Sequence, residues 1–327
     1  MILWIALLVL PSIAVAGPVG RCVNLSNFLE VPRGEVWGPE ITTDHLDAIV
    51  AAGFDTVRLP VRFSDGWNGA IDPARLDRAD RMVQAALRRG LQVIVVLHHF
   101  EEIMQDPAEH AATFRAIWAE LSDHWRGAPD GLMFELLNEP NGALTTAGAV
   151  ALFEDVVPTI RAGHPDRWLV LEGGDWAAST GLGHLPRTDA RIVHSFHYYT
   201  PYEMTHQLAP WAWQGPRPAR AWQLETGGAA VTRDLEDAAR ATDAPILLGE
   251  FGVYREAELA TRAAWTRHVR REAERLDMGW CVWGFAADFR IFDAARDRFL
   301  PELLSALFDD APASPTCERT IRRECPD

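Results

Sequence analysis

Lysine is missing from this sequence: all 31 basic residues are arginine. Chemistry that needs a lysine amine is thereby excluded, including Schiff-base aldolases, pyridoxal-phosphate enzymes and P-loop nucleotidases. A codon bias would explain the absence, and the chemical exclusion holds whatever its cause. Positive charge is scarce in general. A formal charge of −15 argues against a nucleic-acid partner, which would demand a basic face, and against binding to anionic membranes. Cysteine is sparse too, with four residues at positions 22, 281, 317 and 325 whose spacing matches no zinc motif. Cys317 and Cys325 flank a short tail segment that a local disulfide would close. Cys22 and Cys281 fall in strand-like segments, where two buried thiols are the simplest expectation. Four cysteines allow three pairings, and the spacing does not choose among them.

Long hydrophobic runs are also absent, with one exception at the start. Residues 2–10, ILWIALLVL, are followed by Pro11 and then Ala14-Val15-Ala16. An apolar stretch before small residues at the A-x-A positions predicts a secretory signal over residues 1–16, and the run is too short to span a membrane. The expected location is therefore secreted, extracellular or periplasmic, with no membrane association after cleavage. Residues 17–327 are expected to form a single domain, because no Ser/Gly/Pro-rich hinge or internal repeat divides them.

What is present is an apolar, orderly chain. Nearly half of the residues, 48%, are hydrophobic, enough to bury a large core. Strand-like runs recur at 21–25, 54–59, 91–99, 131–138, 168–173, 191–198, 245–251 and 279–285. Most are almost continuously apolar, as in strands covered on both faces. Amphipathic stretches lie between them. In 73–89, Leu76, Ala79, Val83 and Leu87 recur at helical spacing and Gly90 ends the run. Asp44, Pro73 and Pro107 mark first turns of further helices. Alternating strand and helix signals predict a closed (β/α)8 TIM barrel with its active site at the C-terminal ends of the strands. A doubly wound open sheet is disfavoured because no strand is followed by a glycine-rich phosphate loop.

The polar residues that close these strands converge on one face of such a barrel. They include Asn24, Arg58, His98, Asn138 with Glu139, His197 with Tyr199, Glu250 and Trp283. Two carboxylates stand out: Glu139 in FELLNEP (134–140) and Glu250 in LLGEFG. A pair of carboxylates across one bond is what glycoside hydrolysis requires. One protonates the leaving oxygen, while the other attacks the anomeric carbon or activates water. Glu172, closing another strand, is expected to support the site and not to react, and Asn24 to orient a loop.

The segments VNLSNFLE with Trp37-Gly38, GFDTVRLPVRF, VIVVLHH, LLNEP, HSFHYYTPYEMTHQ, LLGEFG and CVWGF together resemble glycoside hydrolase family 5, the cellulase family, over nearly the whole mature length. The resemblance implies a retaining mechanism in which Glu139 is the acid/base and Glu250 the nucleophile. Arg58 would keep Glu250 ionised, and Tyr199 would hydrogen-bond it. His197 would stand beside Glu139, Asn138 would donate to the sugar 2-OH, and His98 and Trp283 would line the site of the reacting sugar. Period-two alternation places only one of His98 and His99 inward, and the resemblance favours His98. Ser26 and Phe28 depart from the residue types commoner there in the family.

The thirteen tryptophans supply flat apolar faces suited to sugars. Trp37, Trp67, Trp176, Trp211 and Trp213 sit in loop-like segments, whereas Trp118, Trp125 and Trp265 follow helical patterns and are expected in the core. The expectation is a monomeric endo-β-1,4-glucanase-like hydrolase acting on a β-glycan oligo- or polysaccharide, with no cofactor and no metal. Alternatives within the family are β-mannan, β-1,3-glucan or xylan as substrate, and outside it a non-catalytic glycan-binding barrel. A metal hydrolase built on His98, His99, His194 and His197 is disfavoured because His194 and His197 point to opposite strand faces.

Overall fold

The computed structural model describes residues 18–187, 190–212 and 219–309. The expected signal segment, Trp213, Cys317 and Cys325 lie outside the described residues. Eight parallel strands pair in chain order: β1 (Arg21–Asn24), β2 (Thr56–Val61), β3 (Gln92–Leu97), β4 (Leu132–Glu135), β5 (Leu169–Glu172), β6 (Ile192–His197), β7 (Ile246–Phe251) and β8 (Gly279–Val282). β8 then pairs back onto β1, closing a (β/α)8 TIM barrel. Each strand begins within two residues of the start of its apolar run, and β4 and β8 end three residues before theirs.

Alternation along these strands builds two separate apolar layers. Ile94, Val96, Met133, Val170, Val193 and Leu247 meet inside the barrel with Cys22 and Cys281. Their neighbours Val93, Val95, Leu97, Phe134, Leu169, Leu171 and Leu248 face outward and pack under the helices. Helix Pro73–Arg88 shows why the outer layer forms where it does. The Asp72 side chain accepts from the Ala74 N–H, proline occupies the first turn, and Ala79, Met82, Val83, Ala85 and Ala86 are buried. Helix Pro107–His124 begins the same way, with Asp106 accepting from Glu109 N–H. Trp118 and Trp265 are fully buried and Trp125 nearly so, as their helical spacing predicts.

Two features depart from the simple alternation. After β5 there is only a one-turn helix (Gly174–Ala177) and a 3-10 turn (Ser179–His184), not a long helix. That short connection carries Gly173, Gly174, Gly181, Gly183 and Pro186, residues that oppose helix propagation. After β8 a small hairpin, Phe292–Asp293 with Arg298–Phe299, precedes helix Pro301–Phe308. No described helix is long and apolar enough to cross a membrane.

The expectation of two buried thiols is corrected. Cys22 and Cys281 form a disulfide, at register-paired positions on β1 and β8 with their Cα atoms 4.2 Å apart. Both side chains point into the barrel interior from adjacent strands, a geometry that spacing in the sequence could not disclose. The bridge joins positions 259 residues apart and so removes much freedom from the unfolded chain. Replacing both cysteines by alanine should destabilise the fold by about 2–5 kcal/mol, read as a lower thermal midpoint in non-reducing buffer. An unchanged midpoint would show that the bridge is absent in solution or dispensable.

Candidate active site

Inside the barrel, the inward positions turn from apolar to polar one step further along each strand. Cys22 gives way to Asn24, Val96 to His98, Met133 to Glu135, Val170 to Glu172 and Cys281 to Trp283. Arg58 lies at the centre of this upper layer and is completely buried. A guanidinium offers five N–H donors, and all five are engaged. Nε and Nη2 donate to the two oxygens of Glu135 at 2.8 and 2.5 Å. Nη1 donates to Asn24 Oδ1 at 2.8 Å and to Glu250 Oε1 at 2.7 Å. Nη2 also donates to Asn138 Oδ1 at 2.8 Å. Arg58 is thus no strand-end residue serving Glu250 alone; β2 continues past it to Val61, and its charge is divided.

Glu250 receives a second bond from Tyr199, whose hydroxyl donates to Oε2 at 2.9 Å. Burial pushes the Glu250 pKa upward, while His197 and Arg58 draw it down. Two cations therefore act on it, where the sequence suggested one. The Tyr199 hydroxyl is itself raised well above its ordinary value, by burial and then by the Glu250 charge, and stays protonated as a donor.

Glu139 sits at the rim, with its side chain 26% exposed against 6% for Glu250. Its backbone is left-handed, φ 48°, a conformation that costs energy in a non-glycine residue. The Glu139 N–H donates to Glu172 Oε2 at 2.8 Å, which anchors that turn. His197 Nδ1 lies 2.7 Å from Glu139 Oε1 and 3.6 Å from Glu250 Oε2. One carboxylate oxygen of Glu139, one of Glu250 and a His197 nitrogen all fall within 4.8 Å of one another. That close approach matches the short-separation class of paired carboxylates.

Glu172 holds this arrangement from below. It accepts from the Ser195 hydroxyl at 2.9 Å. His197 Nε2 lies 2.8 Å from the same Oε1, off the line of an ideal ring N–H bond, so the contact is better described as an ion pair. Burial opposes the Glu172 charge, yet His197, Arg58 and the Glu139 N–H hold its carboxyl down at about 2. Burial likewise opposes a charged His197, but Glu172 and then Glu250 raise it well above its ordinary value. Gly249 is required beside it. A Cβ there would lie 2.5 Å from Ser195 Oγ and 3.1 Å from the His197 ring. The strand pairing also shifts register between Phe196 and His197, which sets His197 opposite Glu250.

A cavity of about 540 Å³ opens above these groups, with Glu139, Glu250, Tyr199, His98 and Trp283 in its wall. The rings of His98 and Trp283 stack, 5.8 Å apart and 7° from parallel. Trp37 and Trp211 line the same cavity and are 37% and 55% exposed. Trp176 is 60% exposed outside it, next to Pro140, whereas Trp67 packs on the core. The structure therefore brings together Glu139, Glu250, Arg58, His98, Asn138, His197, Tyr199 and Trp283. His194 is held elsewhere, by Thr242 Oγ1 and the Pro186 carbonyl.

Four participants escaped sequence reasoning. Glu135 grips Arg58 from β4; its spacing of two from Met133 was the available signal. His99 was expected to face solvent, but alternation ends at Leu97, and a left-handed backbone (φ 55°) turns His99 into the cavity against Trp37. His206 lines the cavity and stacks on Tyr202. Glu30 is buried beneath the loop after β1 and accepts from the N–H groups of Asn27 and Phe28. Burial pushes its carboxyl up to about 7, and its grip places Asn27 in the cavity wall.

A TIM barrel with paired carboxylates in an aromatic cleft at its strand ends has the architecture of a glycoside hydrolase. The Cellulase (glycosyl hydrolase family 5) profile matches residues 19–288, and the chain belongs to that family, whose members are retaining glycosidases. It is 28% identical over 305 residues to endoglucanase H of Acetivibrio thermocellus, covering 89% of this chain but 33% of that protein. It is 27% identical over 333 residues to endoglucanase C of the same organism, covering 87% and 96% of the two chains. Among solved structures it is similar to Thermotoga maritima Cel5A in complex with cellobiose, with a TM-score of 0.83, 34% identity and coverage of 88% and 97%. Cel5A has also been solved in complex with mannotriose (TM-score 0.82, 33% identity, coverage 88% and 97%).

The Glu172–His197 pair yields a signed expectation. Glu172 has its pKa lowered from 4.5 to about 2, so the stability it contributes is complete above pH 4.5 and is lost as pH falls through about 2. Glu172→Gln should cost about 3 kcal/mol at pH 7, with the gap to the parent closing on acidification. The His197 ring should titrate at lower pH in the variant, followed by NMR; an unmoved titration would show that Glu172 does not hold that proton.

Proposed function

We propose that the protein is a secreted endo-β-1,4-glucan hydrolase working by double displacement, with Glu139 as acid/base and Glu250 as nucleophile. The observation that carries this is the close approach of the Glu139 and Glu250 carboxylates, with His197 between them, in the wall of an aromatic cavity. In the first step a Glu250 oxygen bonds to the anomeric carbon as the glycosidic C–O bond breaks, and Glu139 gives its proton to the departing oxygen. In the second, a water oxygen bonds to the same carbon and its proton passes to Glu139. The ester C–O bond breaks as the water oxygen bonds, restoring the Glu250 carboxylate.

The more exposed Glu139 suits proton exchange with leaving group and water, while the buried and doubly hydrogen-bonded Glu250 suits attack from a fixed position. Asn138 presents its NH2 to the sugar 2-OH, because its oxygen is taken by Arg58. Trp283, with the His98 ring stacked on it, offers a flat face to the reacting sugar, and Trp37 and Trp211 extend the aromatic lining of the cleft. β-Mannan is the second substrate reading, favoured by the mannotriose complex of the similar Cel5A. A non-catalytic glycan-binding barrel would have no use for the buried charge network behind Glu250. Secretion is supported by the apolar start of the chain, and action as a monomer is part of the same proposal.

Glu250→Ala should lower turnover by more than about 10³-fold, and added azide should restore a product of inverted anomeric configuration. Glu139→Gln should lose polysaccharide activity while sparing glycosides with good leaving groups. Chelator should leave the rate unchanged. Products from soluble β-glucan, mannan and xylan, sized by chromatography, decide the substrate; no release from any of them would overturn the proposal.

A further inference from the structure

We propose that Glu135, which touches no sugar, is a positioning residue that supplies the standing counter-charge to Arg58 while Glu250 is bonded to the sugar. This inference rests on the assignment of Glu250 as nucleophile. Glu250 is an anion before attack and a neutral ester afterwards. Arg58 cannot follow that change. Its guanidinium does not deprotonate, it has no exposed surface, and its five donors are fixed by protein acceptors. When the ester forms, the Arg58–Glu250 ion pair disappears in a place water does not reach. A buried charge that loses its only partner is strongly destabilised.

Glu135 prevents that isolation. Burial pushes the Glu135 carboxyl up to about 7 while Arg58 draws it down; both of its oxygens accept from Arg58, an arrangement that only the ionised carboxylate completes. Glu172 is the other carboxylate near Arg58, but its closest approach is 3.8 Å, and it is engaged by His197, Ser195 and the Glu139 N–H. Among the described residues, the bidentate partner is therefore the one anion hydrogen-bonded to Arg58 that persists through both chemical steps. It also draws the guanidinium charge away from Glu250 beforehand, so that the nucleophile is not held too tightly to react. Both effects favour the state in which Glu250 is neutral. Removing the Glu135 charge should therefore slow formation of the glycosyl-enzyme and quicken its breakdown, because breakdown gives Arg58 its anion back.

A 2,4-dinitrophenyl 2-deoxy-2-fluoro-β-cellobioside tests both directions on the intact protein. The good leaving group permits attack, and the fluorine slows both steps so that the covalent enzyme accumulates. In the parent, mass spectrometry of peptides should place the sugar on Glu250. In Glu135→Gln, inactivation should be at least roughly tenfold slower, and reactivation of the labelled enzyme should be faster than in the parent. Glu135→Asp keeps the charge on a shorter arm and should fall between the two in both rates. If the Gln chain does not fold, the Asp variant alone must show the same opposed changes. Unchanged rates, or formation and breakdown slowed together, would overturn the role of Glu135. A parent that carries no sugar on Glu250 would overturn the nucleophile assignment instead.

Discussion

A single guanidinium, closed off from water at the heart of the barrel, sets the geometry of everything above it. Arg58 ties β2 to residues of β1, β4 and β7 and to the loop after β4 through five hydrogen bonds, and each acceptor is itself a group the cleft depends on. Asn24 passes the constraint onward, since its Nδ2 donates to the Gly249 carbonyl at 3.0 Å, one residue before Glu250. The apolar lower layer makes this possible by keeping solvent out from below. Without it the charges would be screened and their positions loosened.

His197 performs a complementary task at the level of the two paired carboxylates. It stands between Glu172, held ionised beneath it, and the pair Glu139 and Glu250 above. The surrounding imidazoles behave differently. Burial lowers His98 well below its ordinary value, and lowers His99 and His206 to about 4. Those rings are neutral at neutral pH and line the cavity as uncharged hydrogen-bonding surfaces. Histidines in one small volume thus take opposite charge states, decided by whether a buried carboxylate lies against them.

The barrel was legible because parallel strands covered on both faces leave uninterrupted apolar runs, and eight such runs fell where β1 to β8 are found. The paired carboxylates were legible for a related reason: Glu139 and Glu250 interrupt those runs at the strand ends. What stayed hidden was polar but lay within a run. Glu135, flanked by Phe134 and Leu136, looks like part of a buried strand and is; its inward register and its Arg58 partner come from four different segments meeting in space. His99 was misplaced because period-two alternation fails wherever the backbone turns left-handed, and no residue type at that position announces the turn. Glu30 was passed over because its partners are backbone N–H groups, which no side-chain pattern displays. The Cys22–Cys281 pairing required knowing that the first and last strands are neighbours, which only closure of the sheet establishes.

That bridge alters the topology of the whole molecule. By fastening the two strands at the seam, it makes residues 22 to 281 one covalent hoop threaded through every wall of the barrel. A protease that cuts once in any loop within that span opens the ring without releasing a fragment, since both ends of the cut remain tethered through the sulfurs. The barrel can thus survive a nick as a single molecule.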